Sequence, residues 1–423
     1  KYLVTSSNYS PIFGTAVTIT AQLSDVNNNA VPTAGKTVAW TSTNGGSFGS
    51  PTGTTNANGI ATVSFTTSSV VGTVHTVTAT DDTSLTGTSA NITTVAGPPT
   101  KYILSVSRTS PVAGDTVTVW AQLTDVGDHP IKTSGKTVTW TKTGTGGSFA
   151  AATSTTDANG VATVVFTTGT LAGVTYAVTG TDIAGLTGTS PTFLTIAGPP
   201  AQYLITASRY NPSAGDTVTV FAQLADSNKN PTGGLPPTSV RGNAIAGLPA
   251  PRTVTWGKAG AGGAFSSPTS IVDAGGLASV IFTTGPVAGI AYTFAATDNY
   301  SLTGTSPHII SPPKPPILLS PRDSAIVATP QTFSWSPSEG AVSYRLQIST
   351  HLDVSSPQID QAVTDTTLIV PSLTEGTLYF WQVSAINAGG STPSITRRFS
   401  TPEHPAPVVP PAPVLLMPAD QAL

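Results

Sequence analysis

The sequence predicts an all-β protein made of tandem Greek-key β-sandwiches in a rod-like array. At 423 residues the chain is too long for one hydrophobic core, so several domains are expected. A tight turn followed by an alternating apolar strand occurs three times, at 54–67, 155–168 and 271–284. Asn and Gly favour the turn, and the alternation after it is typical of a half-buried strand.

The spacing of equivalent tryptophans indicates the length of the repeat. Trp40 and Trp140 lie 100 residues apart, whereas Trp140 and Trp256 lie 116 residues apart. The third repeat gains 15 residues between Asp226 and Trp256. Because loops that lengthen on a fixed scaffold often carry function, this insertion is a candidate interface. Its candidate contact residues are Arg241 and Leu248.

The second repeat shows the predicted order of strands. Short strands at regular spacing between turn signals indicate a two-sheet Greek-key sandwich. The predicted strands are 102–106, 115–123, 136–141, a short strand beginning at 147–149, 161–167, 174–181 and 186–196.

Alternation assigns the faces of the second predicted strand. Val117, Val119, Ala121 and Leu123 point to one side and are predicted to form core. Trp120 then points outward, as does Phe221 in the third repeat, where the first repeat has Thr20. Each aromatic side chain either packs under a loop or the next domain, or contacts a partner. We therefore take Trp120 and Phe221 as candidate interface residues.

The linkers between repeats are short and stiffened by proline. They read Ala-Gly-Pro-Pro at 96–99 and again at 197–200. Proline restricts the backbone, so little bending is expected there.

Composition excludes several classes of function. Charged residues make up 9% of the chain, against about 25% in an average soluble domain. The net charge of −3 provides no basic surface for nucleic acid. The absence of cysteine excludes disulfides and thiol nucleophiles. The sequence contains no run of about 18 apolar residues, so no membrane-spanning helix is predicted. A nearly uncharged surface favours association with other copies of the chain or with neighbouring surface or fibre proteins.

No group of residues predicts catalysis or a cofactor. The five histidines lie in separate stretches, and the motifs of serine hydrolases, phosphate-binding loops and zinc proteases are absent. His75 stands where the other repeats have Tyr176 and Tyr292, which indicates a packing role. We therefore predict a non-enzymatic protein.

Acidic residues recur at predicted turns. Single carboxylates in such places usually cap backbone N–H groups. Calcium bound by oxygen-rich turns is the alternative, although the alternating aspartates of an EF-hand loop are absent. The recurring sets are Asp25, Asp125 and Asp226; Asp81, Asp182 and Asp298; and Asp157 and Asp273.

The three repeats resemble bacterial immunoglobulin-like group 1 domains. The motifs are Pro-Val-Ala-Gly-Asp-Thr-Val-Thr at 111–118, Gly-Lys-Thr-Val-Thr-Trp at 135–140 and Thr-Asp-Ala-Asn-Gly-Val-Ala at 156–162. The first repeat departs at Gly14-Thr15, and the third departs by its insertion and at 273–276. The resemblance implies tandem immunoglobulin-like sandwiches of the kind that form the extracellular rods of intimin- and invasin-type adhesins. It does not imply receptor binding, which belongs to separate tip domains.

The sequence after residue 314 resembles a fibronectin type III domain, on the segments 333–335, 344–348, 379–383 and 397–401. The resemblance implies that Trp335 lies in the core. It also implies that the hydroxyl of Tyr379 bonds back to the backbone near Leu373, forming that family's corner.

The predicted domains are repeats 1–99, 100–200 and 201–313, a fibronectin-like domain at 314–401, a Pro-rich linker at 402–413 and the start of another fibronectin-like domain at 414–423. We expect the chain to be a mature or excised piece of a longer protein that continues beyond Leu423.

The predicted function is an extracellular or cell-surface scaffold, either adhesive or structural, acting as a stalk or fibre subunit. One alternative is a self-assembling filament, sheath or virion appendage. Another is a set of non-catalytic modules of a secreted polysaccharide-active enzyme.

Overall fold

The computed structural model describes residues 1–233 and 251–403. Within these ranges the chain forms strands and turns, and no helix is present. The chain divides into two compact units, Lys1–Ala197 and Gly198–Leu423. The all-β prediction is confirmed. Arg241, Leu248 and the predicted segment 414–423 lie outside the described residues, as does most of the predicted linker.

The first repeat is a sandwich of two four-stranded antiparallel sheets, ordered β1-β2-β6-β4 and β5-β3-β8-β9, with β7 paired to β10. The chain crosses between the sheets in the Greek-key manner that was predicted. Its strands are β1 (Tyr2–Ser6), β2 (Ala16–Leu23), β3 (Thr37–Ser42), β4 (Ser47–Phe48), β5 (Thr52–Thr54), β6 (Ile60–Thr66), β7 (Val74–His75), β8 (Val77–Asp81), β9 (Thr86–Thr88) and β10 (Ile92–Thr93).

The second repeat has the same topology, with sheets β11-β12-β16-β14 and β15-β13-β18-β19 and a pair β17-β20. Its strands are β11 (Lys101–Val106), β12 (Thr116–Thr124), β13 (Thr137–Lys142), β14 (Ser148–Phe149), β15 (Thr153–Thr155), β16 (Val161–Thr167), β17 (Thr175–Tyr176), β18 (Val178–Asp182), β19 (Thr187–Thr189) and β20 (Phe193–Leu194).

The third repeat has sheets β21-β22-β26-β24 and β25-β23-β27-β28, with β29 also paired to β27. Its strands are β21 (Gln202–Ala207), β22 (Thr217–Ala225), β23 (Thr253–Ala259), β24 (Ala264–Phe265), β25 (Thr269–Ile271), β26 (Leu277–Thr283), β27 (Ala291–Asp298), β28 (Thr303–Thr305) and β29 (Ile309–Ile310).

The fourth domain packs a sheet β30-β32-β35 against a sheet β31-β38-β36-β33-β34, to which β37 adds through β36. Its strands are β30 (Leu318–Ser320), β31 (Ala325–Ile326), β32 (Gln331–Trp335), β33 (Ser343–Ser349), β34 (Ile359–Val363), β35 (Thr367–Val370), β36 (Leu378–Asn387), β37 (Gly390–Pro393) and β38 (Arg397–Ser400).

Each of the four domains has its own hydrophobic core. In the second repeat the predicted core residues Val117, Val119, Ala121 and Leu123 are all fully buried. Trp335 of the fourth domain is 1% exposed, as the fibronectin resemblance implied. The corner is present as well, because the hydroxyl of Tyr379 accepts a hydrogen bond from the Thr374 N–H at 3.1 Å.

The longer predicted strands of the second repeat are interrupted. The predicted strand 174–181 is divided between β17 and β18, and the predicted strand 186–196 contains only β19 and β20. At the first break the chain changes partner, because β17 pairs with β20 whereas β18 pairs with β13 and β19. Strand β15 was not predicted, since its Thr-Ser-Thr sequence has no apolar alternation.

The repeated turn fixes the start of β16 by hydrogen bonds. The Oδ1 atom of Asp157 accepts hydrogen bonds from the N–H groups of Asn159 and Val161, at 2.8 and 3.0 Å. Gly160 has φ of +78°, whereas Asn159 lies outside the left-handed region, so the glycine provides the left-handed residue of this turn. The side chain of Gln122 donates to the Asn159 carbonyl at 3.0 Å and ties the turn to β12.

We predict that Gly160→Ala destabilises the second repeat more than Gly173→Ala. Both glycines have positive φ, so each alanine costs about 1 kcal/mol of strain. A Cβ at Gly160 would also overlap the Ile131 carbonyl, whereas the space around Gly173 is open. The overlap should add at least about 1 kcal/mol. Hydrogen exchange of the β16 amides measures the loss of stability, with β6 of the first repeat as internal reference. If both variants lose the same stability, the Ile131 contact has no role.

Candidate functional site

A buried carboxylate attaches the second repeat to the linker before it. Asp125 is fully buried, and its Oδ2 atom accepts a hydrogen bond from the Gly97 N–H at 2.8 Å. Its Oδ1 atom accepts from the N–H groups of Gly127 and His129, at 2.9 Å each. A charge removed from water needs such donors to offset its lost hydration. The linker amide is therefore one of the groups that make the burial of Asp125 possible.

The third repeat contains the same arrangement. Asp226 is 1% exposed, and its Oδ2 atom accepts from the Gly198 N–H at 2.8 Å. Its Oδ1 atom accepts from the N–H groups of Asn228 and Asn230. In both repeats the linker glycine precedes the aspartate by 28 residues. The sequence predicted these aspartates as backbone caps and missed the linker contact, although the constant spacing was a readable signal.

The hydrogen bonds at Asp125 determine its protonation. Burial raises the pKa of the carboxyl group, but the donors Gly97, His129 and Gly127 together hold the pKa below its ordinary value. A carboxylate with a lowered folded-state pKa contributes stability above its unfolded pKa, near 3.9, and this contribution is lost as the pH falls through the folded value. The attachment is therefore complete at neutral pH.

Side-chain and backbone contacts add to this joint. The rings of Phe13 in the first repeat and His129 in the second have centroids 4.3 Å apart. The Thr100 N–H donates to the Thr124 carbonyl at 2.8 Å, so the linker runs directly into the sheet of the second repeat. A short proline-containing linker whose glycine amide is bonded, and whose following residue is bonded into the sheet, has little freedom to bend.

The joint between the third repeat and the fourth domain uses different groups. The side-chain amide of Asn387 donates to the carbonyls of Ser311 and Gly340, at 2.9 Å each. Glu339 accepts a hydrogen bond from the Ala288 N–H at 2.9 Å. The backbones of Gly289 and Gly340 approach so closely that a Cβ on either would overlap the other. Close backbone approach of this kind requires glycine.

The remaining recurring acids have structural partners within each repeat. The hydroxyl of Tyr102 donates to Asp182 Oδ2 at 3.3 Å, and burial together with that carboxylate raises the pKa of Tyr102 to about 12. The hydroxyl consequently stays protonated as a donor at physiological pH. The equivalent pairs are Tyr2 with Asp81 and Tyr203 with Asp298.

The third repeat adds a buried cation at the end of its insertion. Arg252 is 4% exposed, forms an ion pair with Asp298 and lies over the ring of Tyr300, with the guanidinium carbon 4.5 Å from the ring centroid. Lys36 has the equivalent place in the first repeat and lies 3.9 Å from Asp81. Strand β23 therefore follows directly after an anchored residue, Arg252.

The predicted interface residues Trp120 and Phe221 lie on the outer faces of their sheets. Trp120 is 37% exposed and pairs across the sheet with Ser105 and Thr163. Phe221 is half-buried and occupies the same place on β22. Their role as an interface stays a prediction.

The described residues contain no group of three or more His, Cys, Asp or Glu side chains placed to hold a metal ion. His75 is fully buried in its core, where its Nε2 atom accepts from the Ser68 N–H at 3.2 Å. An open cleft of about 410 Å³ lies beside Tyr210, His308 and Gly389. No helix long and apolar enough to cross a bilayer occurs in the described ranges.

Comparison with known proteins gives fold-level similarity only. No family model matches the sequence, and no curated protein matches it. The Escherichia coli adhesin FdeC is 18% identical over 72% of this chain and 96% of its own, with a TM-score of 0.37. Invasin, a bacterial integrin-binding protein, is 16% identical over 95% and 79%, with a TM-score of 0.32. Chicken CNTN1 domains FN1–FN3 are 12% identical over 73% and 100%, with a TM-score of 0.36.

All three TM-scores are below 0.5, so the comparisons add no argument about this chain. The tandem sandwiches and the fibronectin-like domain that the resemblance implied are confirmed by the strand order and the four cores described above.

We predict that Asp125→Asn loosens the joint between the first two repeats. The asparagine side chain has one acceptor oxygen in place of two, and its NH2 group points at backbone N–H donors. The variant should therefore lose about 1–3 kcal/mol of stability. The Gly97 amide should exchange faster with solvent deuterium than in the wild type. As the pH falls through the lowered folded-state pKa of Asp125, protonation of the wild-type carboxylate should close this gap.

Asp157→Asn is the matched control, because Asp157 is exposed and the first repeat already has Asn56 at that position. We expect it to leave Gly97 exchange unchanged. If Asp125→Asn behaves like this control, the buried carboxylate does not hold the linker.

Proposed function

We propose that the chain is a non-enzymatic scaffold outside the cell or on its surface, whose β-sandwich modules hold an adhesive element at a distance. The observation that carries this proposal is the attachment of each described Ala-Gly-Pro-Pro linker to a buried carboxylate of the following repeat. A spacer needs joints that resist bending, and here the joint is part of the folded domain. The resemblance of the repeat motifs to the rod domains of adhesins supports the same proposal.

The chemistry of the acids supports a structural role. Four buried carboxylates accept hydrogen bonds from backbone N–H groups, and each also lies within hydrogen-bond distance of a side chain. They are Asp125, Asp182, Asp226 and Asp298. General acid–base catalysis needs a carboxyl group that reaches a substrate. These groups instead close turns and linkers inside the sandwiches.

We predict that electron microscopy of the purified chain shows extended particles with a narrow distribution of end-to-end distances. A variant carrying both Asp125→Asn and Asp226→Asn should give a broader distribution, because the carboxylate that holds each linker glycine is replaced by an amide with one acceptor oxygen fewer. The Asp157→Asn variant should match the wild type. A wild-type distribution as broad as that of the double variant would contradict a role for these joints in spacing.

We further propose that the modules fold without a bound metal ion. The turn carboxylates of Asp125 and Asp157 each already accept two or more N–H donors, which compete with calcium for the same oxygens. The melting temperature should therefore be the same with excess calcium as with a chelator, as measured by differential scanning calorimetry. A lower melting temperature in chelator would show that one of these turns does hold an ion.

A further inference from the structure

A straight line of exposed apolar side chains crosses the outer face of the second repeat. It consists of Ile103 on β11, Trp120 on β12 and Val165 on β16, which are 41%, 37% and 38% exposed. Ile103 pairs with Gln122, and Thr118 pairs with Val165. The three side chains therefore occupy successive diagonal positions on neighbouring strands, about 7–8 Å apart, within reach of an aromatic ring. We call this line the apolar stripe.

The third repeat has a stripe in the same register. Leu204 pairs with Gln223, Phe221 with Ser279, and Thr219 with Ile281. Leu204 and Phe221 are half-buried, and Ile281 is 48% exposed. Two domains of different sequence thus place three large apolar residues on one diagonal.

The first repeat provides an internal comparison. Its equivalent residues are Leu3, Thr20 and Ser64, so only the first of the three is apolar. A requirement of the fold would impose the stripe on all three repeats. The stripe is therefore not needed for the sandwich, which leaves a contact outside the domain as its explanation.

Charge decides which partner fits this face. The outward positions that surround Trp120 are uncharged, and they are Ser105, Thr118, Gln122, Val161 and Thr163. Two copies of such a face do not repel each other. The one charged side chain on this face of β11 is Lys101, which lies beyond Ile103 and is already paired with Asp128. The positions around Trp120 therefore provide nothing to recognise a charged partner such as nucleic acid or an acidic lipid surface.

Geometry favours the same partner. Two copies of the chain can pack stripe to stripe about a two-fold axis that lies between them and runs parallel to the stripe. This rotation brings each residue of the stripe opposite the same residue of the second copy. Trp120 would then face Trp120 of the second molecule, with Ile103 and Val165 on either side. Aromatic residues at the centre of a patch ringed by polar side chains are the usual carriers of binding energy.

We propose that the apolar stripe of the second repeat is a self-association surface, on which a second copy of this chain packs face to face. The stripe of the third repeat provides a second such surface on the same chain. This inference goes beyond the scaffold function and does not depend on it, because a scaffold can act as a monomer.

Sedimentation equilibrium of the full chain tests the proposal. We expect reversible self-association that changes little with ionic strength, because no charge lies at the centre of the face. Trp120→Thr, which installs the residue of the first repeat, should raise the dissociation constant by at least roughly tenfold. Val165→Thr keeps a β-branched side chain of similar shape and should also weaken association.

The matched control is Ile183→Thr. Ile183 is 96% exposed in a turn and lies off the stripe, so it tests general hydrophobic adhesion. We expect it to associate as the wild type does. A monomeric wild type would overturn the proposal, as would equal weakening by Ile183→Thr. If Trp120→Thr fails to fold, Val165→Thr decides, and unchanged association in that variant would also overturn the proposal.

Discussion

The hydrogen bond from a linker amide to a buried carboxylate is the constraint on which the arrangement of the first two repeats depends. Asp125 cannot be buried as an anion unless its donors are present, and one of those donors is Gly97, in the linker. The folding of the second repeat and the positioning of the linker are thus coupled. A linker that relied on proline alone would be stiff along its length but free to turn at its end.

The use of single carboxylates held by backbone donors is consistent with the low charge of the chain. A domain that fixes its turns and linkers with single carboxylates needs few of them, and the carboxylates of Asp125 and Asp157 are stabilised by backbone N–H groups rather than by lysine or arginine. The surface can then consist largely of threonine, serine and glutamine on exposed strand positions. Hydroxyl and amide groups keep such a surface hydrated, and exposed apolar residues such as Trp120 are the exception on it.

The sequence predicted what depends on local pattern. Strand positions, the faces of β12 and the core all follow from alternation, because successive side chains on a strand point to opposite sides. It did not predict which recurring residues meet. Asp182 was recognised as recurrent, but its partner Tyr102 lies 80 residues away along the chain and meets it only in the folded domain. Likewise the sequence placed Trp120 on the outer face, but only the strand register shows that Ile103 and Val165 lie on the same diagonal.

The differences among the repeats separate two kinds of constraint. Groups that hold the architecture recur with the same partners, as the pairs of Tyr2 with Asp81 and of Tyr102 with Asp182 show. Groups on the outer face vary freely in size, from Thr20 to Trp120, on identical strand positions. A sandwich tolerates this variation because the outer face contributes little to its core. Natural variation can therefore adjust what each module touches without altering the spacing of the joints, and a repeated domain combines a fixed length with a variable surface.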